Sequence, residues 1–89
     1  MFEWDEAKAK ANEKKHGITF DQAVTVFEDP LAITYSDPDH SDVEDREVTI
    51  GKCEDQVLLT ISHTERSGKI RLISAREATK AEQQRYETD

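Results

Sequence analysis

Pro30 divides the chain into two hydrophobic periods, and a fold has to satisfy both. Before it, "ITFDQAVTVFEDP" carries Phe20, Ala23, Val24 and Phe27 at the i, i+3, i+4, i+7 spacing of one helical face. Thr19 and Gln22 form a capping box at its start, and Ile18 is placed to staple onto Ala23. After Pro30 the period becomes two. Leu31, Ile33 and Tyr35 alternate, as do Val48 and Ile50, then Val57, Leu59 and Ile61, then Ile70, Leu72 and Ser74. Alternation sends successive side chains to opposite faces of a sheet, so four strands are expected.

The flanks complete the pattern. Asp5 is a suitable N-cap for a first helix running to about Lys15, and Gly17 supplies its stop. The connections "GKCEDQ" and "TERSGK" suit antiparallel hairpins, while "SDPDHSDVED" reads as a solvated loop. Thr79 and Glu82 form a second capping box for a C-terminal helix, with Ser74 and Glu77 as a competing start. The expectation is one α+β domain over residues 1–89: two N-terminal helices on one face of a four-stranded antiparallel sheet, then a C-terminal helix. Trp4, Phe2, Phe20 and Phe27 are assigned to the core, and Tyr86 to docking the last helix.

With 89 residues, 35% of them hydrophobic, the chain has material for one modest core. No apolar run is long enough to span a bilayer and "MFEWDEAKAK" lacks the layout of a signal peptide, so the expected location is the cytoplasm. Cys53 has no internal partner for a disulfide. The net charge of -8 is concentrated. Residues 28–55 hold ten acids and two bases, and the remainder holds ten of each. Acidity of this kind argues against nucleic-acid binding by that segment, and leaves room for a basic cleft elsewhere.

Strand parity then groups the polar residues. With Ile50 opposite Val57, Arg46 faces Ile61 and Glu44 faces His63; across the second hairpin His63 faces Ile70 and Ile61 faces Leu72. On that register Arg46 and His63 share the apolar face near one end of the sheet. Glu47, Thr60, Ser62 and Arg71 share the opposite one.

The segments "FEWDEAKAKANEKKHGITFDQA", "VFEDP", "DHSDVEDREVTIG", "LLTISHTER" and "IRLISAREAT", closed by "RYE", follow one another in an order that resembles the BrnT family of bacterial type II toxins, nearly end to end. The resemblance implies a RelE-like fold and a sequence-tolerant ribonuclease that stops translation. It also implies a neutralising partner, a DNA-binding antitoxin of the BrnA type, through which the complex would sit on operator DNA. The family's closing helix carries more bases than "KAEQQRYE" does.

Metal-independent RNA cleavage needs a base for the 2'-hydroxyl, a cation for the phosphorane and a proton donor for the leaving 5'-oxygen. Arg46 and Arg76 are the candidate cations, since a planar guanidinium binds two phosphate oxygens and keeps its charge. His63, Lys15 and His16 are the candidate proton carriers, with Arg71, Arg66 and Lys14 to hold the RNA. No cofactor or metal enters this scheme. Bland readings stand beside it: Lys14, Lys15 and His16 complement a helix dipole, and Arg46 pairs with Glu44, Asp45 or Glu47. Arg76 in the first turn of a helix starting at Ser74 would oppose the dipole, which a bound phosphate relieves; a start at Thr79 removes that argument. Asp39, Asp42 and Glu44 are the expected docking residues for a basic antitoxin. The alternatives are a metal-dependent hydrolase using the acidic loop and a non-enzymatic binding module. Read as an EF-hand from Asp37, the loop fails at its sixth position, Asp42, and at its twelfth, Val48.

Overall fold

Asp5 and Gly17 bound the first helix by the chemistry expected of them. In the computed structural model, which describes residues 1–37 and 45–88, helix α1 (Glu6–His16) begins where Asp5 Oδ1 accepts from the backbone N–H of Ala7 at 2.8 Å and of Lys8 at 3.3 Å. It ends at Gly17, whose N–H still bonds the Glu13 carbonyl and whose φ of 72° then turns the chain out of the helix. Thr19 Oγ1 likewise accepts from the Gln22 N–H at 3.0 Å to start α2 (Phe20–Val24). The Gln22 side chain, expected to return to Thr19, instead reaches Cys53 Sγ at 3.7 Å and Asp55 Oδ2 at 3.2 Å. Before Pro30 the backbone tightens into a 3-10 turn over Thr25–Glu28. The acidic residues Asp39, Asp42 and Glu44, and His40, lie outside the described residues.

Five strands follow one another across a single mixed sheet, where four antiparallel ones were expected. They are β1 (Phe2–Glu3), β2 (Ile33–Ser36), β3 (Arg46–Lys52), β4 (Leu58–Arg66) and β5 (Lys69–Glu77), in the order β1-β5-β4-β3-β2. The addition is β1, which pairs parallel to Ile70 and Arg71. Two residues are too short to show a period, and the pairing is held by neighbouring aromatics: Phe2 meets Phe27 at 5.2 Å between centroids, and Trp4 stands edge-on to Phe20 at 5.7 Å. Leu31, expected in a strand, precedes β2 in a turn closed by Asp29 Oδ1 and is 68% exposed.

Both hairpins are tighter than expected, and this changes the register. The first turn is confined to residues after Lys52, with Gln56 at φ 65° and its N–H on the Cys53 carbonyl, so Ile50 pairs with Thr60 and not with Val57. The second turns on Ser67 and Gly68, at φ 53° and 78°. His63 therefore pairs with Leu72, and a bulge beside Ser62 and His63 brings Ala75 opposite Ile61. Gly51 lies within β3 in close contact with Ala32, where a Cβ would stand 2.8 Å from Ala32 Cβ. The first shift is odd, so it exchanges faces.

Helices α1 and α2 and the 3-10 turn cover one face, where Phe20, Ala23, Val26, Leu59, Ile61, Leu72 and Ala75 form the buried cluster. Each large member contributes roughly 1.5–3 kcal/mol of burial. Helix α3 (Lys80–Thr88) lies over the other face, started by the Thr79–Glu82 capping box in both directions, at 3.2 and 2.8 Å. No helix among the described residues is long and apolar enough to cross a membrane.

Within α1 only Asn12 is buried. Its amide donates to the Ala75 carbonyl at 2.8 Å and the Ile18 carbonyl at 3.0 Å, and accepts from the Ala75 N–H at 3.0 Å. Replacing it with alanine removes three partners from buried backbone groups, and the expected loss is about 3 kcal/mol. Asn12→Asp restores the acceptor while turning a carboxylate oxygen on two carbonyls, so it too is expected to be destabilised. Urea denaturation of both variants at constant m-value measures the loss; midpoints equal to the parent's would show that the amide is dispensable.

Candidate functional site

Register decides which polar side chains meet. Leu59, Ile61 and Leu72 face α1 and α2, so their strand neighbours face away. Alternation along β3, β4 and β5 then sorts the charges by sign. Arg46, Lys52, Arg66, Lys69, Arg71 and Arg76 fall on the face away from α1 and α2, whereas Glu47, Glu65 and Glu77 fall on the other. The expected sharing of a face by Arg46 and His63 is thus overturned: Glu47 pairs with His63 and Arg46 with Thr64. Thr60, Ser62 and Arg71 do share a face as expected, joined by Arg46. A row of Tyr35, Val48, Ser62 and Ser74 crosses its middle, so its floor is small or apolar and its borders are cationic.

Arg76 lies in β5, not in a helix, and the dipole argument for a phosphate there lapses. Its guanidinium forms a bidentate pair with Glu82 on α3, at 2.8 and 2.9 Å, with 40% of the Arg76 side chain exposed. Glu82 also accepts from Thr60 Oγ1 at 2.9 Å and from the Thr79 N–H. Hydrogen bonds from Arg76, helped by those from Thr79 and Thr60, hold this carboxyl down at about 2 against the opposing effect of burial. Arg71 pairs with Glu3 across to β1 at 3.2 Å. Arg85, on α3, sits 3.7 Å over the Tyr35 ring. Arg66 is exposed at the second hairpin.

Lys15 and His16 reach the border of this face. With Lys8, Asn12, Ile73 and Ser74 they line a cleft of about 230 Å³ where the end of α1 meets β5. Lys14 stays exposed in the same last turn. Lys8, Ser74, Tyr35 and Arg85 also lie on or beside this face, and sequence reasoning did not count them among the candidates. Lys8 lies two helical turns before Lys15, a spacing that was available as a signal.

His63 lies apart, 4% exposed beneath the helices. Its Nε2 is 2.7 Å from Thr49 Oγ1, which is itself 2.7 Å from Thr34 Oγ1, and its ring stands edge-on to Phe27 at 5.1 Å. Burial pushes the imidazole down to about 4, so it is neutral at neutral pH. Among the described residues, no group of three or more His, Cys, Asp or Glu side chains is arranged to hold a metal.

Residues 4–82 match the family model described as the ribonuclease toxin, BrnT, of type II toxin–antitoxin systems. The crystal structure of the Brucella abortus ribonuclease toxin BrnT has the same fold, with a TM-score of 0.71 at 23% sequence identity; the match covers 90% of this chain and 99% of that one. No curated protein matches the chain.

The buried imidazole makes stability depend on pH. Its folded value lies below the unfolded value of 6.5, so the fold favours the neutral form. That contribution is complete above about pH 6.5 and is lost as the pH falls through 6.5 towards 4, with a slope of up to about 1.4 kcal/mol per pH unit. His63→Gln is expected to flatten the stability profile in that window, read by urea denaturation at half-unit pH steps. An unchanged slope would show that His63 protonates equally in both states.

Proposed function

The chain belongs to the BrnT family of ribonuclease toxins of type II toxin–antitoxin systems, and on that footing we propose that it is a metal-independent endoribonuclease that cleaves RNA and inhibits translation. The observation that carries this reading is the sorting of charge on the sheet: the arginines and lysines of β3 to β5 share one face in a chain of net charge -8. Phosphate neutralisation drives RNA binding, and this face supplies it where the overall composition does not.

In the proposed reaction the 2'-oxygen attacks the adjacent phosphorus as its proton passes to Lys15 or His16, and the 5'-oxygen leaves with a proton from the other. A 2',3'-cyclic phosphate and a 5'-hydroxyl result. Arg46 and Arg76 stabilise the phosphorane, and Arg71, Arg66 and Lys14 hold the flanking backbone. His63, neutral and walled in by Thr49 and Phe27, is left a packing role on this reading. A BrnA-type antitoxin would dock through the acidic segment containing Asp39, Asp42 and Glu44, where opposite potentials speed encounter.

Purified protein is expected to cleave RNA with EDTA present. Cleavage only on addition of a divalent cation, or none at all, would overturn the proposal. Arg46→Ala is expected to lower the single-turnover rate about 100- to 1000-fold, the usual cost of one preorganised charge donor. Arg46→Lys should recover only part of this, since the planar fork is lost.

A further inference from the structure

Arg85 and Tyr35 form a pair that the docking of α3 does not require. The helix is already held by the Arg76–Glu82 pair, by Thr60 on Glu82, and by Tyr86, whose hydroxyl donates to Asp29 Oδ2 at 2.8 Å. An exposed cation–π contact adds little to that. What the contact does is hold a planar cation over an aromatic ring. The guanidinium carbon lies 3.7 Å above the ring centre, a stacking distance, and Arg85 is exposed. The guanidinium is backed by tyrosine, on a residue that is exposed as a whole.

The surroundings say what that plane meets. Tyr35 pairs with Val48, which makes Arg46 its diagonal neighbour on β3, within roughly 7 to 8 Å. Ser62 and Ser74 continue the same row towards the Lys15 and His16 cleft. A flat cationic surface beside a phosphate-binding arginine, with small side chains beyond it, has the layout that takes one unstacked base and its adjoining phosphate. A paired helix cannot lay a base face there, because its bases are stacked on one another.

Resting on the ribonuclease reading above, we propose that the Arg85 guanidinium, backed by the Tyr35 ring, is the nucleobase-stacking platform of the site, and that the substrate is single-stranded RNA with one base on this platform and its phosphate at Arg46. The two side chains position the substrate and do not take part in proton transfer. Arginine stacks without reading base edges, so the platform tolerates any base.

The test uses short 2'-O-methyl oligoribonucleotides, which resist cleavage, with binding read by fluorescence anisotropy and an abasic residue placed at each position in turn. The parent protein is expected to lose roughly 5- to 150-fold in affinity when one particular base is removed, and little at the others. Arg85→Ala should bind the intact oligonucleotide more weakly by about that factor and be indifferent to the same removal. Arg85→Lys should resemble Arg85→Ala, since charge is kept and the plane lost, while Tyr35→Phe should resemble the parent. If Arg85→Lys binds as the parent does, or if Arg85→Ala retains the position-specific loss, the platform is overturned. Parent binding that ignores base removal at every position overturns the platform alone. Parent protein that neither binds nor cleaves RNA overturns the ribonuclease reading with it.

Discussion

The amide of Asn12 stands in for a strand that the sheet lacks. β1 pairs only with Ile70 and Arg71, so beyond the bulge the outer edge of β5 would run bare beside a buried cluster. Buried backbone groups must be paired, and one asparagine side chain meets the N–H and the carbonyl of Ala75 while also taking the carbonyl of Ile18. An apolar residue would fill that space and leave all three unmet. The same contact fixes α1, which buries no other residue, and so brings Lys15 and His16 to the border of the basic face. The position of two candidate proton carriers depends on an amide that carries no charge.

Helix α3 is attached on the same principle. It buries no residue, and two carboxylates locate it: Glu82 gathers Arg76, Thr60 and Thr79, and Asp29 accepts from Tyr86 and from the Lys52 N–H. Directional bonds fix orientation more sharply than an apolar stripe would. They also set a limit on Arg76, whose charge is already shared with a carboxylate that stays ionised down to about pH 2. On the proposed reading, a phosphate at this face would have to share the Arg76 guanidinium with Glu82.

What was legible in the sequence was the local chemistry: Asp5 and Gly17 at the ends of α1, Thr19 before α2, and Thr79 with Glu82 at α3. Each is a contact within four residues, so spacing reveals it. Four of the five strands were legible too, because burial on one face forces alternation. Register was not, since it hangs on whether Gly51 and Lys52 belong to a strand or a turn, and the close approach of Ala32 and Val26 to Gly51 exists only in the folded chain. A shift of three residues moved Arg46 to the other face from His63, and with it the composition of the site. Asn12 was illegible for a related reason: an asparagine within a mostly polar helix looks solvated until its partner, 63 positions away, is known. The family resemblance found the protein's class, while the grouping of its residues needed coordinates.

The sorting of charge by face has a consequence for approach as well as for grip. A polyanion far from the protein meets the field of the whole chain, which is repulsive, and nearer than a Debye length, about 8 Å at physiological ionic strength, it meets the field of one face. Salt weakens the first effect before the second, because short-range pairs are screened least. The encounter is then a matter of orientation: a molecule tumbling beside RNA feels a torque that turns the arginines of the sheet inward and the glutamates on the side of α1 and α2 outward. The rate of productive encounter should pass through a maximum with ionic strength, unlike the steady decline shown by a uniformly basic nuclease.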